Sequence, residues 1–332
     1  MSEDSNSHLN KLLDRRFDPD KKEAYLSPSF HENDKYGAWT KYLLECTKPL
    51  DHSYRKTVFQ VTGDLIKKFN SELNHQNLKI DIRYQGAIQS NTHVHLLGDV
   101  EILVILTPRS KEKASKSVEK LGTLIMSALS NSSLFDRVDF SNKTNIDLTT
   151  KYPQAEVSVL PTVWIDTQSY KESRREIDRG IAEYDFLKRT RRSYLPFRNI
   201  ARINFKDLQV NGNLKRIIRL VRCIQLDSEE PIHLNHYEIA CMLYNLREKK
   251  LGISEDYILT LLPKVSLYLE KLVKFDMLKR VISPSRKELV FINEEEKKPE
   301  LLKLKDEIDM VLGNLSHELR QDGKTIENAF PY

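Results

Sequence analysis

No stretch of this chain is apolar for anything near the ~20 residues that a membrane-spanning helix requires, so no transmembrane segment is expected. Cysteine is scarce: Cys46, Cys223 and Cys241 are odd in number and widely spaced, which argues against a disulfide framework and against a paired-cysteine zinc site. Cys223 and Cys241 fall in apolar-periodic stretches and read as buried thiols. The opening MSEDSNSHLNKLLDRR has neither the basic start nor the apolar stretch of a secretory signal. A reducing cytoplasm is the expected setting. Internal repeats and low-complexity tracts are also missing, which removes solenoid and linker-rich architectures.

Net charge is small, 53 Lys and Arg against 48 Asp and Glu, so no overall polyanion-attracting field is present. The cations are nonetheless gathered: residues 179–222 hold twelve Lys or Arg and three Asp or Glu. That stretch reads either as a solvated basic face or as a surface for phosphates, RNA or oligonucleotides.

What the chain does have is 332 residues with 39% hydrophobic and 30% charged side chains, enough for two packed lobes, each with its own core. Residues 1–35 are polar with little periodicity and read as an N-terminal arm carrying one short helix around HLNKLLDRRF. Helical spacing begins in WTKYLLECTKPL and continues through SYRKTVFQVTGDLIKKFNSEL, where Val58, Val61, Leu65, Ile66 and Phe69 share a face. LKIDIRY alternates like a strand, DVEILVIL is apolar enough for a central strand, and 110–130 reads as a helix. DRVDF, NIDLTT and AEVSVLP add three short strands, Pro161 closing the last. The expectation is an α+β fold: a mixed sheet of about five strands with helices on one side, over 36–205. A helical lobe over 206–332 follows, from helices at 208–225, 236–249, 255–275 and 299–320 and a small hairpin in RVISPSRKELVFINEEE. Residues 171–185 read as helix and loop.

In DVEILVIL, Asp99 and Glu101 are two apart and so share one strand face. Two carboxylates that close need a counter-charge, and a divalent cation is the simplest. Glu156 in AEVSVLP is a third acid, on the face shared by Ser158 and Leu160. If the two strands are neighbours, three carboxylates converge at one end of a sheet, an arrangement suited to two-metal phosphoryl or nucleotidyl transfer. Upstream, Gly86 and Ala87 follow directly on a strand, and a turn of small residues admits backbone N–H groups to a triphosphate.

This order of strand, Gly-small turn, polar loop, D-x-E strand, helix and later acid-bearing strand resembles the DNA polymerase β-like nucleotidyltransferase superfamily. Within it the spacing is most similar to the CD-NTases, relatives of cyclic GMP-AMP synthase and oligoadenylate synthase. The residues that carry the resemblance are Gly86-Ala87, Asn91-Thr92, Asp99-Val100-Glu101, AEVSVLP, GNLKRIIRLVRCIQ and LNHYEIACMLYNL, over roughly 50–250. It implies a sheet lobe with a helical lobe closing over the nucleotide. It also implies Mg²⁺ (or Mn²⁺) on Asp99, Glu101 and Glu156, with Glu156 binding the ion that activates the acceptor hydroxyl. Gly86, Ala87, Ser90, Asn91 and Thr92 would hold the triphosphate, and Arg219 and Arg222 would neutralise it. Nucleoside triphosphates would yield a cyclic or linear oligonucleotide messenger of bacterial anti-phage defence. The oligomeric state is not implied.

Several residues depart from the pattern. Ala87 stands where the family usually has Ser, one hydrogen bond to a charged group fewer, worth roughly 1.5–3 kcal/mol unless Ser90 or Asn91 replaces it. Glu101 replaces the commoner Asp, Arg222 a frequent Lys, and Asn235 or His236 a frequent Ser. Two other readings therefore stay open: transfer to tRNA or protein, and a catalytically silent nucleotide- or RNA-binding module. His93 and His95 lack the partners of a metal site. Lys188, Arg189, Arg191 and Arg192, bracketed by Tyr184 and Tyr194, offer charge and stacking surfaces, loop anchoring being the plainer role for the tyrosines. Trp164 reads as core.

Overall fold

A computed structural model of the chain describes residues 3–326, apart from 20, 33–34, 51, 75–77, 97, 99, 108–113, 131–134, 140, 142–143, 152–153 and 186–189. In chain order its principal elements begin with α1 (Glu3–Arg15), α2 (Ala38–Thr47), α3 (His52–Asn74), β1 (Ile80–Gln85), α4 (Gly86–Ser90), β2 (Val100–Leu106) and α5 (Ala114–Ser130). There follow β3 (Phe135–Asp139), β4 (Ile146–Thr150), β5 (Glu156–Ile165), β6 (Gly180–Asp185), β7 (Thr190–Tyr194) and α6 (Pro196–Gln209). The chain ends with α7 (Asn213–Asp227), α8 (His236–Tyr244), α9 (Leu261–Lys274) and α10 (Glu294–Gln321). Two units result: residues 51–90 and 95–201 form the sheet unit, and residues 1–50, 91–94 and 202–332 form the helical unit.

The sheet unit is built on a seven-stranded mixed sheet in the order β1-β2-β5-β4-β3, with β6 on β5 and β7 on β6. β2 runs parallel to β5 and antiparallel to β1. Its run VEILVIL is nearly continuous in apolar residues because both faces are covered. Val100, Ile102 and Val104 pack with Leu65 and Phe69 of α3 and Leu121 and Ile125 of α5, while Leu103 and Ile105 pack with Leu160, Trp164 and Ile181. Trp164 is core, as expected, its Nε1 donating to Asp81 at 2.8 Å.

Two strand expectations need correction. β5 does not stop at Pro161 but continues to Ile165. Pairing with β4 ends at Val159 and pairing with β6 begins at Thr162, so the missing Pro161 N–H falls in a gap on that flank and loses no ladder bond there. Residues 180–185 and 190–194 are strands, not loop, which raises the sheet from about five strands to seven. Their charged sequences, GIAEYD and TRRSY, hide the alternation that a half-buried strand normally displays.

Residues 1–35, expected as an arm, and 36–50, expected with the sheet, pack in the helical unit. Leu12 of α1 is fully buried in a core shared with Trp39, Leu43, Ile217 and Val221. The polar residues that made this segment look unstructured are paired: Arg15 with Asp227, and Arg16 with Glu45. Glu318 of α10 caps the start of α2, accepting from the Trp39 and Thr40 amides at 2.8 and 3.0 Å. The single helix expected over 208–225 is broken, because Asn211 and Gly212 both take positive φ between α6 and α7. Asn235 and Glu238 form a capping box that starts α8. The expected hairpin at 280–296 reduces to one bridge, Ile282 with Leu289.

Candidate active site

Along β2 the odd-numbered residues read Glu101, Leu103, Ile105; along β5 the even-numbered ones read Glu156, Ser158, Leu160. Because the strands are parallel with Glu101 beside Ser158, both become polar at the same end of the sheet. On the other side of β5, antiparallel β4 sets Asp147 beside Ser158 and Thr149 beside Glu156. The consequence is a row across three neighbouring strands, Glu101, Ser158, Asp147, with Glu156 one step nearer the strand start. Glu101, Asp147, Glu156 and Asp139 all line one cavity of about 430 Å³, with Arg137.

The row is held by short bonds. Ser158 Oγ donates to Asp147 Oδ1 at 2.5 Å, and Asn145 Nδ2 donates to the same oxygen at 2.6 Å. At the cavity edge the Ser141 hydroxyl and amide, together with Arg137, hold the Asp139 carboxyl down to about 2. On the far side of β2, Gln85 pairs with Glu101, and Gly86 follows at φ +70°. A Cβ on Gly86 would lie 2.6 Å from Glu101 Oε2, so the positive φ favours glycine there and any side chain would shift the Glu101 carboxylate. Tyr194 hydroxyl donates to Gln85 Oε1 at 3.4 Å; burial, with Glu183 and Glu101 nearby, pushes its phenol well above the usual range. Tyr194 is thus an anchor of the strand end that carries the site.

Of the residues expected to form the site, Glu101 and Glu156 line the same cavity, while Asp99 lies outside the described residues. Among the described residues no group of three or more His, Cys, Asp or Glu is close enough to hold a metal by itself. Asp147 and Asp139 escaped the sequence reading. Asp147 alternates with Ile146 and Leu148 in NIDLTT, the same signal that marked Glu156, but its value depends on knowing which strand lies beside β5.

The loop residues make contacts within the chain. Ala87 is buried, and Ser90 does not replace the missing hydroxyl, because its Oγ donates back to the Gly86 and Ala87 carbonyls at 3.1 and 3.3 Å. Asn91 has φ +58°, and Thr92 hydrogen-bonds His236 at 2.9 Å within the helical unit. Arg219, expected to neutralise a triphosphate, is instead buried and donates to the carbonyls of Thr47 and Asn91 at 2.8 and 2.7 Å. Burial pushes its guanidinium down to about 9, still protonated at neutral pH, and its charge is spent on positioning the 91–94 segment. Arg222 donates to Gln225 and to the Leu234 carbonyl. His93 is buried.

The basic stretch is also largely consumed internally. Arg179 binds Asp166 and stacks on Trp164, Arg198 binds Asp178, and Lys206 donates to the carbonyls of Tyr244 and Leu246. Lys188 and Arg189 lie outside the described residues, as do the side chains of Tyr184 and Arg191. No helix among the described residues is long and apolar enough to cross a membrane.

The donors on the cavity wall are carboxylate and hydroxyl oxygens, the set that a hard divalent ion such as Mg²⁺ or Mn²⁺ takes and a soft metal does not. Chemically, such a wall suits a substrate that arrives as a metal-phosphate complex.

No family profile matches the chain. Individual proteins do. It is 27% identical over 313 residues to the cyclic dinucleotide synthase CdnE of Yersinia aleksiciae, covering 89% of this chain and 81% of that protein. It is 27% identical over 364 residues to a c-di-GMP synthase of Capnocytophaga granulosa, covering 96% of this chain and 100% of that protein. The solved structure of a STING-associated CdnE c-di-GMP synthase from Capnocytophaga granulosa superposes with a TM-score of 0.76 at 24% identity, over 96% of this chain and 100% of that one. That of the Elizabethkingia meningoseptica CdnE cyclic dinucleotide synthase with GTP and Apcpp gives 0.62 at 18% identity, over 82% and 97%. The fold is α+β of the polymerase β-like kind, and with these relatives it defines a nucleotidyltransferase. Within that class the chain is similar to the CD-NTases, the likeness to cyclic dinucleotide synthases extending over most of its length.

Proposed function

We propose that this chain joins two nucleoside triphosphates into a cyclic dinucleotide, using the carboxylate end of its sheet. The observation that carries this reading is the common cavity of Glu101 and Asp147, with Gly86 at positive φ against the Glu101 carboxylate. The names of the two relatives, cyclic dinucleotide synthase and c-di-GMP synthase, support the product class and put guanine nucleotides first among substrates to test.

The chemistry is attack of a 3′ (or 2′) hydroxyl on the α-phosphorus of a second nucleotide, with pyrophosphate leaving in line, performed twice to close the ring. Little covalent work falls to the protein; positioning and charge compensation carry the rate. Mg²⁺ or Mn²⁺, when bound, supplies charge neutralisation for the attacking and leaving oxygens. Glu101, with Asp99 by strand alternation in the sequence, would hold it. Gly86 leaves Glu101 its place. Gln85, tied to Tyr194, fixes the end of β1 opposite Glu101. Arg219 keeps the Asn91 carbonyl in position instead of touching phosphate. A messenger role in bacterial anti-phage defence follows from the family resemblance.

The test is incubation of the protein with Mg²⁺ or Mn²⁺ and labelled GTP and ATP, singly and together, beside Glu101→Gln. A phosphatase-resistant dinucleotide formed by the native chain and lost in the variant supports the proposal. Label in RNA or protein instead, or no product sensitive to Glu101→Gln, overturns it.

A further inference from the structure

The row Glu101, Ser158, Asp147 raises a question that the acid count in the sequence does not. β5 lies directly beside β2, yet the residue it sets against Glu101 is not an acid but Ser158. The next strand, β4, brings a carboxylate into the same row. Adjacent strands are ~4.8 Å apart, so Glu101 and Asp147 stand about 10 Å apart at Cα, with a small side chain between them. Both line the cavity floor, and both are half-buried. Glu156 is one step further out, against Thr149, and is exposed.

Two hydrogen bonds converge on a single oxygen of Asp147, from Ser158 and from Asn145. They fix its rotamer, as the partners of a metal-holding carboxylate do elsewhere. Ser158 thus acts as a bridge: its hydroxyl donates across to β4 and holds the Asp147 carboxylate in place.

We infer that Asp147, not Glu156, supplies the carboxylate that completes the metal-holding set with Glu101, Ser158 and Asn145 serving as its positioning residues. This rests on the reading of the site under the proposed function.

The experiment titrates Mn²⁺ into the full-length protein by calorimetry and, in parallel, measures dinucleotide formation from GTP with Mn²⁺. It compares Glu101→Gln, Asp147→Asn and Glu156→Gln. Asp147→Asn is expected to lose about 10- to 100-fold in Mn²⁺ affinity and at least as much in product formation, while Glu156→Gln stays within about threefold on both. Asp147→Asn at native Mn²⁺ affinity and product formation, with Glu101→Gln inactive, overturns the role of Asp147 and leaves the site reading intact. Native behaviour of Glu101→Gln on both readouts overturns the site reading and this inference together. Should Asp147→Asn fail to fold, the double variant Asp147→Asn/Ser158→Asp returns a carboxylate to the same row. Recovery of Mn²⁺ binding in it supports the inference, and a folded double variant without Mn²⁺ binding overturns it.

Discussion

Gly86 and Glu101 occupy one space: a Cβ built on the glycine would come within 2.6 Å of the glutamate Oε2, at a backbone φ of +70°. The first acid-bearing strand and the small-residue turn are therefore one device, in which the turn must lack a side chain for the carboxylate to stand where it does. Gly86→Ala carries two costs. The left-handed backbone adds roughly 1–2 kcal/mol of strain, and the methyl displaces the Glu101 carboxylate. The variant should remain folded but lose on the order of 10²-fold in dinucleotide formation, as expected of a misplacement near 1 Å. Thermal unfolding beside a product assay separates the two effects.

A second left-handed residue, Asn91 at φ +58°, has its carbonyl held by the buried Arg219. Asn91→Gly should be nearly neutral for stability, whereas Asn91→Val should cost about 1–2 kcal/mol, because a β-branched residue resists that conformation. Denaturant unfolding of the two variants checks the difference. Equal stabilities would contradict the assignment.

Asp227 accepts from Arg15 and, at 2.7 Å, from the Tyr42 hydroxyl, and it is fully buried. Asp227→Ala strands the Arg15 guanidinium without its partner and should destabilise the helical unit by about 3–5 kcal/mol. Replacing Arg15 and Asp227 together by Met and Leu should cost less than Asp227→Ala alone, since no buried charge is then left uncompensated. Urea unfolding of the three proteins gives the comparison.

Asp178 is buried under Ser173, Arg198 and Arg175, whose hydrogen bonds and charge hold its carboxyl down to about 2, against an ordinary 3.8. Its folded value is depressed, so the stability it contributes is fully present above about pH 4 and is lost as pH falls toward about 2. In that window the unfolded chain binds more protons, and stability rises with pH. Asp139 adds a slope of the same sign. Asp178→Asn should flatten the rise of unfolding free energy across this window relative to the native chain; an unchanged slope would refute the assignment.

Much of the site-bearing sheet was legible in the sequence because apolar strands announce themselves. DVEILVIL and NIDLTT form strands close to their expected limits, AEVSVLP starts one and runs on past Pro161, and the helices beside them follow the spacing of Leu65 and Phe69. The strands at 180–185 and 190–194 were not legible, since GIAEYD and TRRSY carry charges that hide any alternation. The N-terminal helix was expected, but its packing in the helical unit was not legible: Arg15 and Arg16 look like surface residues until Asp227 and Glu45 are known to face them. Glu101 and Glu156 could be picked out one strand at a time. Asp147 could not, because its meaning lies in the β4–β5 register, a non-local pairing that alternation within NIDLTT does not encode. Arg219 shows the converse, a cation in a helix whose spacing fits phosphate binding but whose burial commits it to two carbonyls.

The most direct test of the account measures pyrophosphate and phosphatase-resistant product in the same reaction of native protein with GTP, with and without Mg²⁺, beside Glu101→Gln. Ring closure from two triphosphates predicts about two pyrophosphates released for each product molecule, dependent on Mg²⁺ and lost in the variant. Pyrophosphate release no greater than that of Glu101→Gln, or release without a cyclic product, would contradict it.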